Sequence, residues 1–232
     1  YHSAGTCTFY GTANSNQMLL EIMGFQLPGS SFVNPGTPLR DALTQATVHQ
    51  VVSMAKRGDP KLGMGHQFTA SVLVNGMVGL LATGGSTNHT LHLVAMARAG
   101  GWHIDWDDFA ELSSVVPLLA RVYPNGGADV NHFHAAGGMG FLMRQLLRGG
   151  LMHDNVPTLM GPGWQHHLRE PWLNQGQLAW RDAPEHSGDL DVLRPIDNPF
   201  SPDGGLQVLR GNLGRAVIKV SAVKPDRKST RL

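Results

Sequence analysis

Charge is the scarcest material in this chain. Asp, Glu, Lys and Arg make up 15% of its 232 residues, against roughly 25% in an average globular protein. What charge there is balances, with 18 basic and 17 acidic residues, so the basic excess of a nucleic-acid binder is missing. Cysteine occurs once, as Cys7. That excludes an intrachain disulfide and gives no sign of an oxidising compartment. The longest nearly apolar run, Ala70 to Ala82, is interrupted by Asn75 and falls short of the ~20 residues that cross a bilayer. The stretch Tyr1 to Asn16 has neither the basic nor the apolar region of a signal peptide. HExxH, GxSxG and a glycine loop followed by Lys are all absent, which removes the signatures of a zinc protease, a serine-hydrolase elbow and a P-loop.

What is present is glycine, 29 residues or about 12%, against an average near ~7%, and a hydrophobic content of 41% that suits a folded core. A surface so poor in charge is expected to be covered by more chain or by a partner. The pattern is mostly helical. A first helix is predicted over Thr8 to Gly24, with Leu19, Ile22 and Met23 at helical spacing. A loop follows from Leu27 to Pro38. A second helix runs from Leu39 to Arg57, with Leu39, Leu43 and Ala46 on one stripe. Phe68 to Thr83 is apolar nearly all round, the mark of a buried helix. GGSTNH (Gly84 to His89) opens a helix that continues to Arg98. Asp105 and Asp129 are placed to cap two more, the second interrupted at Gly137-Gly138 and resuming to Arg148. From Met152 to Asp203 the helical period gives way to prolines and tryptophans, read as a loop-rich connection. Val208 to Leu209 and Ala216 to Val220 read as strands.

Three features invite chemistry. Cys7 sits just before or in the first turn of the first helix, where the dipole and free N–H groups favour a thiolate; a lone cysteine is more often a small hydrophobe in a core. GGSTNH leads glycines into Ser86, Thr87 and Asn88 at a helix start, which suits a carboxylate or phosphate or a plain N-cap. The 12 histidines, His132, His134, His166 and His167 among them, form no compact ligand set with a catalytic carboxylate.

GTCTFYGTANSNQM (Gly5 to Met18), LPGSSFVNP (Leu27 to Pro35), LLATGGSTNHTLHLVAMARAGG (Leu80 to Gly101), VYPNGGADVNHFHAAGG (Val122 to Gly138) and GGLQVLRGNLGRAVIKVSAV (Gly204 to Val223) closely resemble the family of dihydroxy-acid and phosphogluconate dehydratases. The resemblance spans residues 1 to about 224 in order. Phe9-Tyr10-Gly11 after the cysteine, the SSFVNP loop and the YPNGGADVNHFHAAGG block resemble the phosphogluconate branch.

The resemblance implies an α/β fold, predominantly helical here. Residues 1–205 would belong to the large α/β dehydratase domain, 206–224 would lead into a β-barrel-like C-terminal domain, and 225–232 would be a tail without function. It implies a cytoplasmic, homodimeric hydro-lyase that binds neither nucleic acid nor membrane. Its substrate would be a small phosphorylated sugar acid, 6-phospho-D-gluconate, dehydrated to 2-dehydro-3-deoxy-6-phospho-D-gluconate in the Entner–Doudoroff route. The implied cofactor is a [4Fe-4S] cluster, or a [2Fe-2S] cluster in some members, with a divalent metal such as Mg or Mn besides. By the same resemblance Cys7 is a cluster ligand, and Ser86, Thr87 and Asn88 line the substrate. No catalytic residue is expected within these residues. The family's CDK-type block, with another cysteine, is expected N-terminal to them, and the TDGRLSG-type block, with the proposed serine base, C-terminal. The chain therefore reads as an internal segment, inactive alone. Arg40, Arg144 and Arg215 are candidates for the phosphate and are equally explained as surface or interdomain pairs. A dehydratase of other specificity, and a non-catalytic module that binds sugar-acid phosphates, are the alternatives.

Overall fold

The structure, a computed structural model, describes residues 4–7 and 9–223; the expected tail at 225–232 lies outside them. Among these residues eight α-helices come first: α1 (Thr12–Ile22), α2 (Pro38–Lys56), α3 (Met64–Gln67), α4 (Ala70–Thr83), α5 (His89–Ala99), α6 (Trp106–Ser113), α7 (Val130–Ala135) and α8 (Gly138–Arg148). Three antiparallel hairpins follow: β1 (Pro157–Thr158) with β2 (Gly161–Pro162), β3 (Arg169–Asn174) with β4 (Gln177–Asp182), and β5 (Gln207–Gly211) with β6 (Gly214–Ile218). The fold is thus a helical α/β unit with small sheets. No closed barrel forms among the described residues.

The apolar run becomes α4, the centre of the core. It is buried from Met77 through Thr83 and packs against α1. A Cβ on Gly79 would stand 2.7 Å from Ile22 Cδ1, so the absent side chain sets how closely the two helices meet. The one amide in the run, Asn75, is fully buried and satisfied: its Nδ2 donates to the His153 carbonyl at 3.0 Å and its Oδ1 accepts from His153 N–H at 2.8 Å. Other starts follow the expected caps. Asp105 and Asp129 accept backbone N–H groups at the heads of α6 and α7, and Ile104 and Phe109 join the same apolar cluster beneath α6.

Two expectations are corrected. The first helix begins at Thr12, not Thr8. Asn14 Nδ2 donates to the carbonyls of Cys7 and Phe9 at 3.0 and 2.7 Å, and Tyr10 N–H donates to the Tyr123 carbonyl. Those bonds hold the preceding backbone as a loop. The connection after Met152 contains a regular hairpin of two six-residue strands, β3–β4. Its two-residue turn, Gln175-Gly176, has positive φ at both positions, as a type I′ turn requires.

Candidate active site

The N-terminus of α1 gathers the chemistry. Gly11 is its N-cap and brings no side-chain cap, so the first N–H groups of α1 stay open towards the Cys7 loop. Cys7 is exposed in that loop, five residues ahead of the helix rather than in its first turn. The loop rests on the Leu27–Pro35 segment: Thr6 Oγ1 donates to Asn34 Oδ1 at 3.3 Å, and a Cβ on Gly5 would touch Pro35. That segment is pinned from below by Glu21, a fully buried carboxylate that accepts from Gly29 N–H, Ser31 N–H and Ser31 Oγ. Burial raises its pKa, against those bonds and nearby Arg40, which lower it.

The turn Gly84–Asn88 closes over α1 from the other side. Gly84 ends α4 in the left-handed region at φ 58, and a Cβ on Gly85 would stand 2.7 Å from Leu80 Cδ1 and 3.1 Å from Ser15 Cβ. These two glycines let Ser86 reach α1. Ser86 Oγ lies 2.9 Å from Thr12 Oγ1, and Asn88 Nδ2 donates to Thr12 Oγ1 at 2.9 Å. Thr87 is half-buried and its carbonyl accepts from Thr90. The structure thus brings Cys7 and the Ser86–Asn88 turn, some 80 positions apart in sequence, to the two sides of one helix end.

The head of α5 does not offer the open N–H groups that GGSTNH suggests. The N–H groups of His89, Thr90 and Leu91 are taken by the carbonyls of Ser86, Thr87 and Asn88. Nor is Asn88 a side-chain cap; it faces Thr12. The donor-rich end is that of α1.

Sequence reasoning missed Thr12, Asn14, Ser15 and His89. Ser15 Oγ donates to the Gly11 carbonyl at 2.7 Å and accepts from Ser86 N–H. Its single proton is therefore used, and His89 Nε2, at 2.8 Å, must donate to it. His89 is fully buried, and burial, with His92 beside it, brings its pKa down to about 4. The ring is neutral, with its proton on Nε2 and its buried Nδ1 without a partner. The only visible signal was the density of Ser, Thr and Asn in TANSN (Thr12 to Asn16). Tyr10, also buried, donates to Thr83 Oγ1 at 3.0 Å, and burial raises its pKa.

An iron–sulfur cluster takes three or four protein ligands. With a single cysteine, and no group of three or more His, Cys, Asp or Glu placed for a metal among the described residues, these residues can supply one such ligand, not the set. His132 bonds Asp129, and His167 Nε2 donates to the Gln26 carbonyl at 3.1 Å.

An exposed thiol loop and a polar, glycine-rich turn thus meet at one helix start of a helical unit. The family described as dihydroxy-acid/6-phosphogluconate dehydratase matches twice, its N-terminal domain over residues 1–167 and its C-terminal domain over 191–231. The chain belongs to this family. It is 58% identical over 226 residues to a phosphogluconate dehydratase of Pseudomonas aeruginosa and 60% identical over 223 residues to one of Escherichia coli K12, covering 97% and 96% of this chain. A dihydroxy-acid dehydratase of Ignicoccus hospitalis is 36% identical over 224 residues, 96% of this chain and 38% of that protein. The chain spans 37% of the length of the two phosphogluconate dehydratases. No helix among the described residues is long and apolar enough to cross a membrane.

Proposed function

We propose that this chain is part of a phosphogluconate dehydratase, which removes water from 6-phospho-D-gluconate to give 2-dehydro-3-deoxy-6-phospho-D-gluconate. The observation that carries the reading is the meeting of the Cys7 loop and the Ser86–Asn88 turn at the head of α1, in a chain 58–60% identical to proteins of that name. The reaction takes a proton from C2 and hydroxide from C3, and the enol so formed tautomerises to the 2-keto acid. Cys7 would be one ligand of an iron–sulfur cluster, with the others outside this sequence, and such a cluster would supply the Lewis acid for the departing hydroxyl. Thr12, Ser86 and Asn88 form a rim of hydroxyl and amide groups suited to the substrate's hydroxyls and carboxylate. Neutral His89 fixes Ser15, which fixes the Ser86 backbone, so the rim is held before substrate arrives. The same proposal includes a cytoplasmic homodimer. Its support is the low surface charge and the outer face of α2, where Val48, Val51 and Val52 are exposed.

The test is anaerobic assay of the intact protein for 2-keto acid formation from 6-phosphogluconate beside 2,3-dihydroxyisovalerate. Turnover of the phosphorylated substrate is expected, together with loss of turnover and of cluster absorbance in Cys7→Ser. Turnover of 2,3-dihydroxyisovalerate alone would refute the substrate.

A further inference from the structure

The three arginines that the sequence offers for a phosphate are committed elsewhere. Arg40 donates to the carbonyls of Ser30 and Val33. Arg144 donates to those of Leu168, Ala183 and Pro184. Arg215 pairs with Asp107, which also takes Arg210. Arg121 and Arg194 lie over the ring of Phe200.

Lys219 differs from all of these. It follows β6 directly and is half-buried; its carbonyl accepts from Ala222 N–H, yet its ammonium has neither an ion pair nor a hydrogen bond among the described residues. Burial alone moves its pKa down to about 8; no carboxylate offsets it. The segment it begins lies against the Gly84 turn, since a Cβ on Gly84 would stand 2.7 Å from Ser221 Oγ. Its charge is felt at His89, the residue that follows the turn. There the wholly buried Nδ1 is also unpartnered. A half-buried ammonium is costly unless an anion accompanies it, and no carboxylate among the described residues pairs with this one.

We propose that Lys219 binds an oxyanion of the substrate, the phosphate or the carboxylate of a sugar acid, at the edge of the Ser86–Asn88 turn. The sugar-acid part rests on the dehydratase reading; the oxyanion part does not. Lysine binds phosphate or carboxylate as a point charge, and a hydrogen bond to a charged group of this kind corresponds to about 10- to 100-fold in affinity.

The experiment follows acylation of Lys219 in the intact wild-type protein by an amine-specific reagent, read by mass spectrometry of the peptide that carries it. Inorganic phosphate, gluconate and 6-phosphogluconate are the added anions. Protection by phosphate and 6-phosphogluconate assigns the phosphate, and protection by gluconate assigns the carboxylate. Protection by none of them overturns the proposal. So does a Lys219 that never reacts, because another part of the protein then holds the ammonium. In parallel, Lys219→Met should weaken 6-phosphogluconate binding about 10- to 100-fold with a smaller change in kcat, and Lys219→Arg should restore most of it. Unchanged binding in a folded Lys219→Met protein overturns the proposal as well. Protection by phosphate without 6-phosphogluconate turnover would sink the dehydratase reading and leave the oxyanion site standing. Turnover without protection would do the reverse.

Discussion

The helices up to Arg148 and the hairpins that follow are held together by different means. Around α4 the cohesion is apolar volume: Met18, Ile22, Leu73, Met77, Leu80 and Leu81 are all almost completely buried, and the polar side chains of Ser15, Asn75 and Thr83 enter hydrogen-bonded. Around β1–β4 the enclosed apolar surface is Val156, Trp164 and a small cluster of Leu27, Val33 and Leu43 that Leu159, Met160, Leu178 and Trp180 cover, and side chains reaching for backbone carbonyls add to the joining. Arg144 on α8 donates to the carbonyls of Leu168, Ala183 and Pro184, Trp180 Nε1 donates to Pro28, and Gln50 Nε2 donates to Leu159. The contrast teaches where the site can be rigid. The Cys7 loop and the Ser86–Asn88 turn are both anchored on the α1–α4 side.

The strongest way to break the contrast is to open a cavity in each region. Leu80→Ala, at a fully buried position, should cost about 2–5 kcal/mol in unfolding free energy. Leu178→Ala on half-exposed β4 should cost about 1 kcal/mol or less. Urea midpoints of the two variants check this, and equal losses would mean that the hairpins share the helical core.

Acid should strain both regions together. His89 in the helical part and His167 beside the hairpins each have a folded pKa of about 4, lowered by burial from 6.5. As pH falls below 6.5 the unfolded chain takes up these protons and the folded one does not, so stability is lost between pH 6.5 and about 4. Each ring contributes on the order of 3 kcal/mol at the low end. Urea midpoints of the intact protein from pH 7.5 to 4.5 should fall accordingly, and a flat profile would show that the rings are protonated in the fold.

The same contrast explains what the sequence made legible. An apolar stretch such as Val72 to Ala82 has no good conformation except a buried helix, and Asp105 and Asp129 announce helix starts because a short carboxylate at an N-cap has few other uses. Cys7 and Ser86–Asn88 stood out as residue types. Their meeting did not, because it depends on Thr12 and Ser15 contacting residues 71 to 76 positions away, and a one-dimensional pattern carries no trace of such pairs. The start of α1 was misplaced because one amide, Asn14, takes the carbonyls of Cys7 and Phe9. The β3–β4 hairpin was hidden by its turn: Gln175 sits at φ 49, where asparagine is the usual signal.

A smaller perturbation tests the carbonyl-reaching joints. Arg144→Met keeps the apolar stem on α8 and removes three hydrogen bonds to the hairpin region. A loss of about 1–3 kcal/mol is expected, with hydrogen exchange accelerating at Ala183 and Leu168 and staying unchanged along α4. Acceleration along α4 would show that the two regions unfold as one.

The smallest expected effect on stability concerns two hydroxyls of α1, three residues apart. Ser15 is fully buried, and in Ser15→Ala the N–H of Ser86 and Nε2–H of His89 both lose their acceptor. That should cost about 1–3 kcal/mol. Thr12 is half-exposed on the rim, and its Oγ1 bonds the side chains of Ser86, whose Oγ also accepts from Asn88 N–H, and of exposed Asn88, which can turn to water. Thr12→Val should therefore change stability by no more than about 0.5 kcal/mol while raising KM for the sugar acid in the intact protein, because the methyl removes a hydroxyl from the rim. Thermal melts and steady-state kinetics on the same two variants separate the roles. A Thr12→Val protein with unaltered KM and kcat would move the substrate away from the head of α1, whereas an equally destabilised one would make Thr12 part of the frame that Ser15 holds.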